Sequence, residues 1–467
     1  MAKKFRIEKD SMGEVKVPAD AYYGAQTQRA VNNFPVSGIQ MPFEFIKALS
    51  IVKLAAAKVN MEFGFLDKKL AKAIIQAAEE IIEGKIKDQF PVDIFQTGSG
   101  TSTNMNINEV IATRANEILT GKRITKNPVH PNDHVNFGQS SNDVIPTAIH
   151  VSSFIEIKEN LYPALKKLER ILGKKEKEFD KVIKIGRTHL QDATPIRLGQ
   201  EFSGYKTMIK HGIKRIKNTE EFLSELAIGG TAVGTGLNTH KNFGKNVAKE
   251  ISKITGIKFK EAENHFEAQG TKDAIVELSG ALKTVAVSLM KIANDIRWMG
   301  SGPRCGIGEI LIPPVQPGSS IMPGKVNPVI AESVCQVAAQ VIGNDATITI
   351  AGQSGNFELN VMMPLIAYNI LYSIKILSNS CNIFVEKSLK DLKANEKKCK
   401  DCIEKSLAMI TALVPKIGYD KAAEIAKEAY EKNKTIREIL LEKKILSKKE
   451  IEQVLNPYKM TEGGLLS

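Results

Sequence analysis

The sequence predicts a mainly α-helical fold built round a central bundle of long helices, and two observations carry that prediction. Leu161, Leu165, Leu168 and Leu172 recur at i, i+4, i+7 and i+11, and Ile275, Leu278, Leu282, Leu289 and Ile296 mark a second stripe, the spacing of a buried helix face. Between Pro146 and Pro303 the only prolines are Pro163 and Pro195, so helices of about 25 residues or more are allowed. Such lengths suit a bundle assembled from several chains; the alternative is an intramolecular bundle in a monomer.

Three segments follow in order. Residues 1–138 mix short extended and helical stretches rich in Gly, Pro, Asn and Thr, and are read as an N-terminal domain carrying substrate-binding loops. Residues 139–394 hold the striped helices of the central bundle domain. Residues 395–467 are charged and helical, punctuated by Gly418 and Pro457, and read as a small C-terminal helical domain.

Composition excludes several classes. At 467 residues, 43% hydrophobic and 25% charged, with one Trp, the chain is an ordinary globular protein rather than a disordered, collagenous or disulfide-stapled one. No apolar run reaches the length of about 18 residues that a membrane span needs; Ile51 to Val59 is interrupted by Lys53 and Lys58. The N-terminal MAKKFRIEKD has no apolar stretch behind its charges, so a soluble cytoplasmic protein is expected. The net charge of +13 is spread over helical segments with Glu and Asp interleaved. No basic cluster alternates with aromatics, so nucleic acid is not the expected partner, although a positive field would help gather a small dianion. Five cysteines, an odd number, suggest free thiols. Cys399 and Cys402 form a CxxC without a second pair or a nearby His, so no metal is expected there.

Four polar islands interrupt the helical text. In the first, Thr97-Gly98-Ser99-Gly100-Thr101-Ser102-Thr103-Asn104-Met105-Asn106 crowds hydroxyls before a helix expected over 107–119, an arrangement that suits an anion. The second runs from His130-Pro131-Asn132-Asp133 to Gln139-Ser140-Ser141-Asn142-Asp143. There the His130/His134 spacing invites a metal, but Pro131 argues against a helix that would align the rings. Ser140, Ser141 and Asn142 can bind carboxylate oxygens and cap the next helix. The third, Gly186-Arg187-Thr188-His189-Leu190-Gln191-Asp192, places His189 as a candidate acid/base among polar neighbours. The fourth is Gly318-Ser319-Ser320-Ile321-Met322-Pro323-Gly324-Lys325-Val326-Asn327-Pro328. It differs from a P-loop in spacing, and Val326 replaces the magnesium-binding hydroxyl, so ATP is not expected. It reads as a flexible loop able to close over an anionic substrate.

Taken together, GSSIMPGKVNP at 318–328, QTGSGT at 96–101, VHPND at 129–133, GRTHLQDATP at 186–195, GGTAVGTGLNTH at 229–240, SGPRCGIGEI at 301–310 and GNFELNV at 355–361 make the chain resemble the class II fumarate hydratases of the fumarase/aspartase superfamily over essentially its whole length. The resemblance implies a three-domain, mainly α fold whose central helices form a 20-helix core in a homotetramer, with each active site composed from three chains. It implies reversible hydration of fumarate to L-malate, a tricarboxylic acid cycle lyase reaction on a small dicarboxylate; no cofactor and no metal are expected, since the sequence has no complete ligand cluster and proton transfer needs only placed side chains.

The resemblance also assigns roles. Ser319 would be the base that takes the proton beside a carboxylate, with Lys325 and Asn327 stabilising the resulting aci-carboxylate. Thr188, Ser140, Ser141 and Asn142 would bind substrate carboxylates. His189, oriented by Glu332, would move protons to and from the water, which Ser99, Thr101 and Asn142 hold. A peripheral anion site maps to His130, Asn132 and Asp133. Aspartases carry Gln where this chain has His189, although Thr101-Ser102-Thr103, Asn132-Asp133-His134 and Pro195-Ile196-Arg197-Leu198 lean towards their spelling, and Phe137-Gly138 replaces the usual Lys-Ser. Aspartate ammonia-lyase is therefore the alternative enzyme, and an inactive lyase-fold structural protein the alternative of another class.

Overall fold

The computed structural model describes residues 4–465. Long helices dominate it: Phe43–Glu62, Lys68–Ile82, Thr101–Thr120, Ser141–Glu156, Tyr162–Glu178, Leu198–Asn218, Asp273–Met299, Val329–Gly352 and Met363–Phe384. Strands among the described residues form only two-stranded sheets. The mainly α expectation holds, and both leucine/isoleucine stripes are core: none of Leu161, Leu165, Leu168, Leu172, Ile275, Leu278, Leu282, Leu289 and Ile296 is more than 1% exposed. Burying such side chains contributes about 1.5–3 kcal/mol each, which is what holds rods of this length in place.

The chain divides into two compact units, one of residues 1–163, 214–284 and 339–378, the other of 164–213, 285–338 and 379–467. In the first, the Phe43–Glu62 helix packs against Lys68–Ile82, Ser141–Glu156 and Phe243–Thr255. It is buried nearly all round between Phe45 and Asn60, which explains its apolar composition without a membrane. No helix among the described residues is long and apolar enough to cross one.

In the second unit, an antiparallel hairpin of Ile183–Thr188 and Gln191–Arg197 is backed by the Glu396–Lys405 helix. Ile185 enters a buried cluster with Ile403, Leu413, Ile425, Ile439 and Val454, so the C-terminal segment anchors the hairpin. Capping boxes at Thr435/Glu438 and Ser447/Glu450 start its short helices.

Two local expectations are corrected. Pro131 does not prevent helical structure: it opens a wide helical turn over Pro131–Val135, at the first position, where proline's missing N–H costs nothing. The helix expected over 107–119 begins at Thr101, because Gly100 adopts a left-handed φ of 73° and turns the chain directly into it.

Candidate active site

The first unit brings together two of the polar islands. Gly98 is required by close packing: a Cβ there would lie 1.8 Å from the Val361 carbonyl oxygen, and its own carbonyl accepts the Met363 N–H at 3.0 Å. This seats Ser99 and Thr101 with their hydroxyls 2.7 Å apart at the start of the Thr101–Thr120 helix. Ser140 caps the Ser141–Glu156 helix, its Oγ accepting the Asn142 N–H, while Asp143 Oδ1 accepts the Ser140 N–H in return. Asn104 Nδ2 donates to Ser141 Oγ at 3.1 Å and joins the two islands. Asn142 Nδ2 donates to the Ala232 carbonyl at 2.8 Å, which spends one of its two amide protons and leaves the other free.

Behind these hydroxyls lies a buried ionic layer absent from the sequence reading. Lys53 is fully buried, and its Nζ donates to Asn136 Oδ1 at 2.8 Å and Gln139 Oε1 at 3.0 Å. Asn136 Oδ1 also accepts from Asn104 and Asn108, each at 3.2 Å. Burial pulls the Lys53 ammonium down to about 7, against the opposing pull of Asp143. Burial likewise pushes Asp143 up to about 6, although its carboxylate accepts N–H groups from Ser140, Gly229 and Thr231. Its one signal in the sequence is a lysine inside the apolar run Ile51–Val59.

At the rim of the same unit, His130 Nδ1 faces the backbone N–H groups of Asn132 and Asp133 at 3.3 and 3.2 Å. The Asp133 carboxylate lies 3.3 Å from that nitrogen. His134 Nδ1 accepts the His130 N–H at 2.8 Å, which uses the lone pair a metal would need. Among the described residues no group of three or more His, Cys, Asp and Glu is placed to hold a metal ion.

In the second unit, Thr188 and Gln191 close a two-residue turn made of His189 and Leu190, whose φ values are 56° and 60°. Two consecutive left-handed residues are the geometry of a tight hairpin turn, normally filled by Asn and Gly. Here a histidine and a leucine occupy it at a conformational cost, with both side chains exposed at the tip. The strand beneath is fixed by Glu309, itself fully buried, which binds Arg187 Nη1 at 2.9 Å and Lys184 Nζ at 3.3 Å.

Also in this unit, the 318–328 loop folds on itself. Gly318 N–H donates to the Lys325 carbonyl at 2.7 Å, and Asn327 Nδ2 to the Gly318 carbonyl at 2.6 Å. Ser319 Oγ accepts two backbone N–H groups, from Ile321 at 3.2 Å and Met322 at 3.0 Å. The loop is open to solvent, Ile321 being 84% exposed. Glu332 sits in the first turn of the Val329–Gly352 helix. Among the described residues, neither the His189 ring, the Glu332 carboxylate nor the Lys325 ammonium is paired within the chain.

Chemically, this is a set of hydroxyls in front of a buried lysine, an exposed imidazole on a strained turn, and a serine whose oxygen is already served by two N–H donors. A serine oxygen so placed has its negative form stabilised in the way an oxyanion hole stabilises an alkoxide.

The chain as a whole is similar to known proteins. A family model described as Lyase matches residues 13–343, and one described as Fumarase C C-terminus matches 409–462. The chain is 56% identical over 467 residues to a class II fumarate hydratase of Halobacterium salinarum, covering 100% of this chain and 99% of that protein. It is 53% identical to a mitochondrial fumarate hydratase of Dictyostelium discoideum, covering 98% and 94%. The crystal structure of a class II fumarase from Schistosoma mansoni superposes with a TM-score of 0.96 at 41% identity, covering 98% of this chain and 99% of that one.

Proposed function

The chain belongs to the class II fumarate hydratase family, and from that membership and the loop geometry we infer that it catalyses the reversible hydration of fumarate to L-malate by anti addition of water, a step of the tricarboxylic acid cycle. The observation that carries the chemistry is the pair of N–H donors on Ser319 Oγ. Taking a proton from carbon requires the alkoxide form of serine. Two backbone donors lower the cost of forming it.

In the dehydration of malate, Ser319 Oγ takes the proton from the carbon beside a carboxylate, and the electron pair moves into that carboxylate. Lys325 and Asn327 bind the doubly charged aci-carboxylate that results. His189, with Glu332 orienting it, delivers a proton to the departing hydroxyl, which leaves as water, and Ser99, Thr101 and Asn142 hold that water. Ser140, Ser141 and Thr188 bind the substrate carboxylates. Hydration runs the same steps backwards. His130, Asn132 and Asp133 form a peripheral anion site in this reading.

We further propose a homotetramer with composite sites and the three-segment division at 138/139 and 394/395. Three observations support the assembly. His189 stands exposed on a strained turn, and the Ser319 loop is open to solvent. The solvent-facing positions Gln336, Ala339, Gln340, Gly343, Ala346, Thr349 and Ile350 of the Val329–Gly352 helix carry no charge, which suits burial against another chain. A cytoplasmic location fits the five free cysteines, which point to a reducing compartment.

The test is to offer the purified protein L-malate and L-aspartate separately and follow fumarate by absorbance. Fumarate from malate supports hydration. Fumarate from aspartate alone identifies an ammonia-lyase, and none from either identifies an inactive structural relative.

A further inference from the structure

A lysine ammonium with no solvent exposure is rare unless something requires it, because a neutral amide or apolar residue would fill the space at lower cost. Lys53 is such a residue, and its neighbours give the reason. Its Nζ holds Asn136 Oδ1 and Gln139 Oε1. Asn136 Nδ2 donates to the Gln139 carbonyl at 3.0 Å, and Gln139 Nε2 donates to the Val135 carbonyl at 3.1 Å. Residues 135–139 are thus folded round the ammonium and lead directly into Ser140, Ser141 and Asn142. On the other side, Asn104 donates both to Asn136 Oδ1 and to Ser141 Oγ. Because Ser141 Oγ accepts there, its own proton is left to donate to an anion.

Lys53 therefore sits two amides, Asn136 and Asn104, behind the Ser141 hydroxyl that would meet a substrate carboxylate. A dicarboxylate in front of Ser141 places negative charge where burial leaves little water to screen it, and this favours the ammonium form of any amine behind it.

We propose that Lys53 is a positioning residue for the 139–142 segment whose protonation is coupled to occupation of the site, so that binding a dicarboxylate takes up a proton at Lys53. This rests on the reading of Ser140–Asn142 as carboxylate-binding. Burial pulls the resting ammonium down to about 7, which brings its protonation within reach of physiological pH, so that a bound dianion can draw a proton on to it. Of the charges on the elements packed against it, Asp143 faces it. Glu109 is taken up by Gly24, Gln26 and Thr27, Glu250 by Lys58 and Lys253, and His134 Nδ1 by the His130 N–H.

The experiment is calorimetric titration of the full-length protein with succinate, a saturated dicarboxylate that cannot be hydrated, at pH 7 in buffers of different ionisation enthalpy. Net fractional proton uptake per site is expected for wild type, with affinity falling from pH 6 to pH 8. Lys53→Met should lose this uptake and raise KM about tenfold with a smaller change in kcat. Lys53→Arg keeps a permanent charge and should bind without proton uptake, which separates titration from a merely structural role. Zero uptake in wild type, or uptake retained in either variant, overturns the proposal. Wild type that binds and turns over malate while failing these tests leaves the functional reading standing. Absence of any fumarate–malate turnover in wild type refutes that reading instead.

Discussion

Ser319 Oγ accepts the backbone N–H of Met322 at 3.0 Å, three residues along the same loop. The candidate base is therefore served by its own loop before any substrate arrives, a preorganisation that water could not supply at the moment of proton transfer. Ser319→Ala removes the oxygen while leaving the donors. Turnover should fall by roughly 10³-fold or more, with the melting temperature and succinate binding little changed, because the group acts in the transition state. Parallel kinetics and calorimetry check this, and near wild-type kcat would move the base elsewhere.

His189→Asn should lower kcat by about 10²–10⁴-fold. Asparagine tolerates the left-handed φ of 56° better than other residues do, so the turn should survive. A circular dichroism melt matching wild type, beside the kinetic loss, separates chemistry from folding; unchanged kcat would remove His189 from the mechanism.

Glu309→Ala should destabilise the protein by roughly 1.5–3 kcal/mol, since it takes one of two carboxylates from buried Lys184, leaving Glu201 at 3.2 Å, and removes the partner of Arg187. The hairpin carrying Thr188 and His189 should loosen with it, so kcat should drop even under conditions where the variant is folded. Urea unfolding followed by kinetics at low denaturant reads both; a change below about 1 kcal/mol would show that Glu309 does not anchor this strand.

Asp143 gives a pH signature. Burial raises its carboxyl above the usual value, to about 6, so the folded state holds this proton more tightly than the unfolded chain. Its contribution to stability is complete below about pH 4 and is lost as pH rises through 6. The stability difference between wild type and Asp143→Asn should therefore change across pH 4–6 and level off between 6 and 7. A difference independent of pH would mean that Asp143 ionises like an exposed carboxyl.

The composite-site proposal predicts complementation. Ser319→Ala and His189→Asn proteins, each inactive, are dissociated, mixed and reassembled. Sites drawing the two residues from different chains then include some that escape both lesions, and activity returns. No recovery in verified hybrid tetramers, or an active monomer in solution scattering, rules the arrangement out.

Much of this was legible in the sequence because it is written locally. The leucine and isoleucine stripes announce buried helix faces, and the polar islands stand out against them; the structure puts Ser140 at a helix cap and His189 at a turn. What was not legible depends on distant partners. Lys53 reads as a flaw in an apolar run until Asn136 and Gln139, far along the chain, close round it. Glu309 lies in a glycine-rich stretch whose role appears only when Arg187 and Lys184 reach it. Pro131 misled because a proline forbids the interior of a helix but suits its first turn.

The most direct test of the central claim, that Ser319 moves the proton in fumarate hydration, is to incubate fumarate with wild type and with Ser319→Ala in deuterium oxide and observe malate by proton NMR. The account predicts that wild type forms malate carrying one deuterium in the single configuration of anti addition, and that Ser319→Ala forms essentially none. Deuterated malate from Ser319→Ala at the wild-type rate, or no malate from wild type, would contradict it.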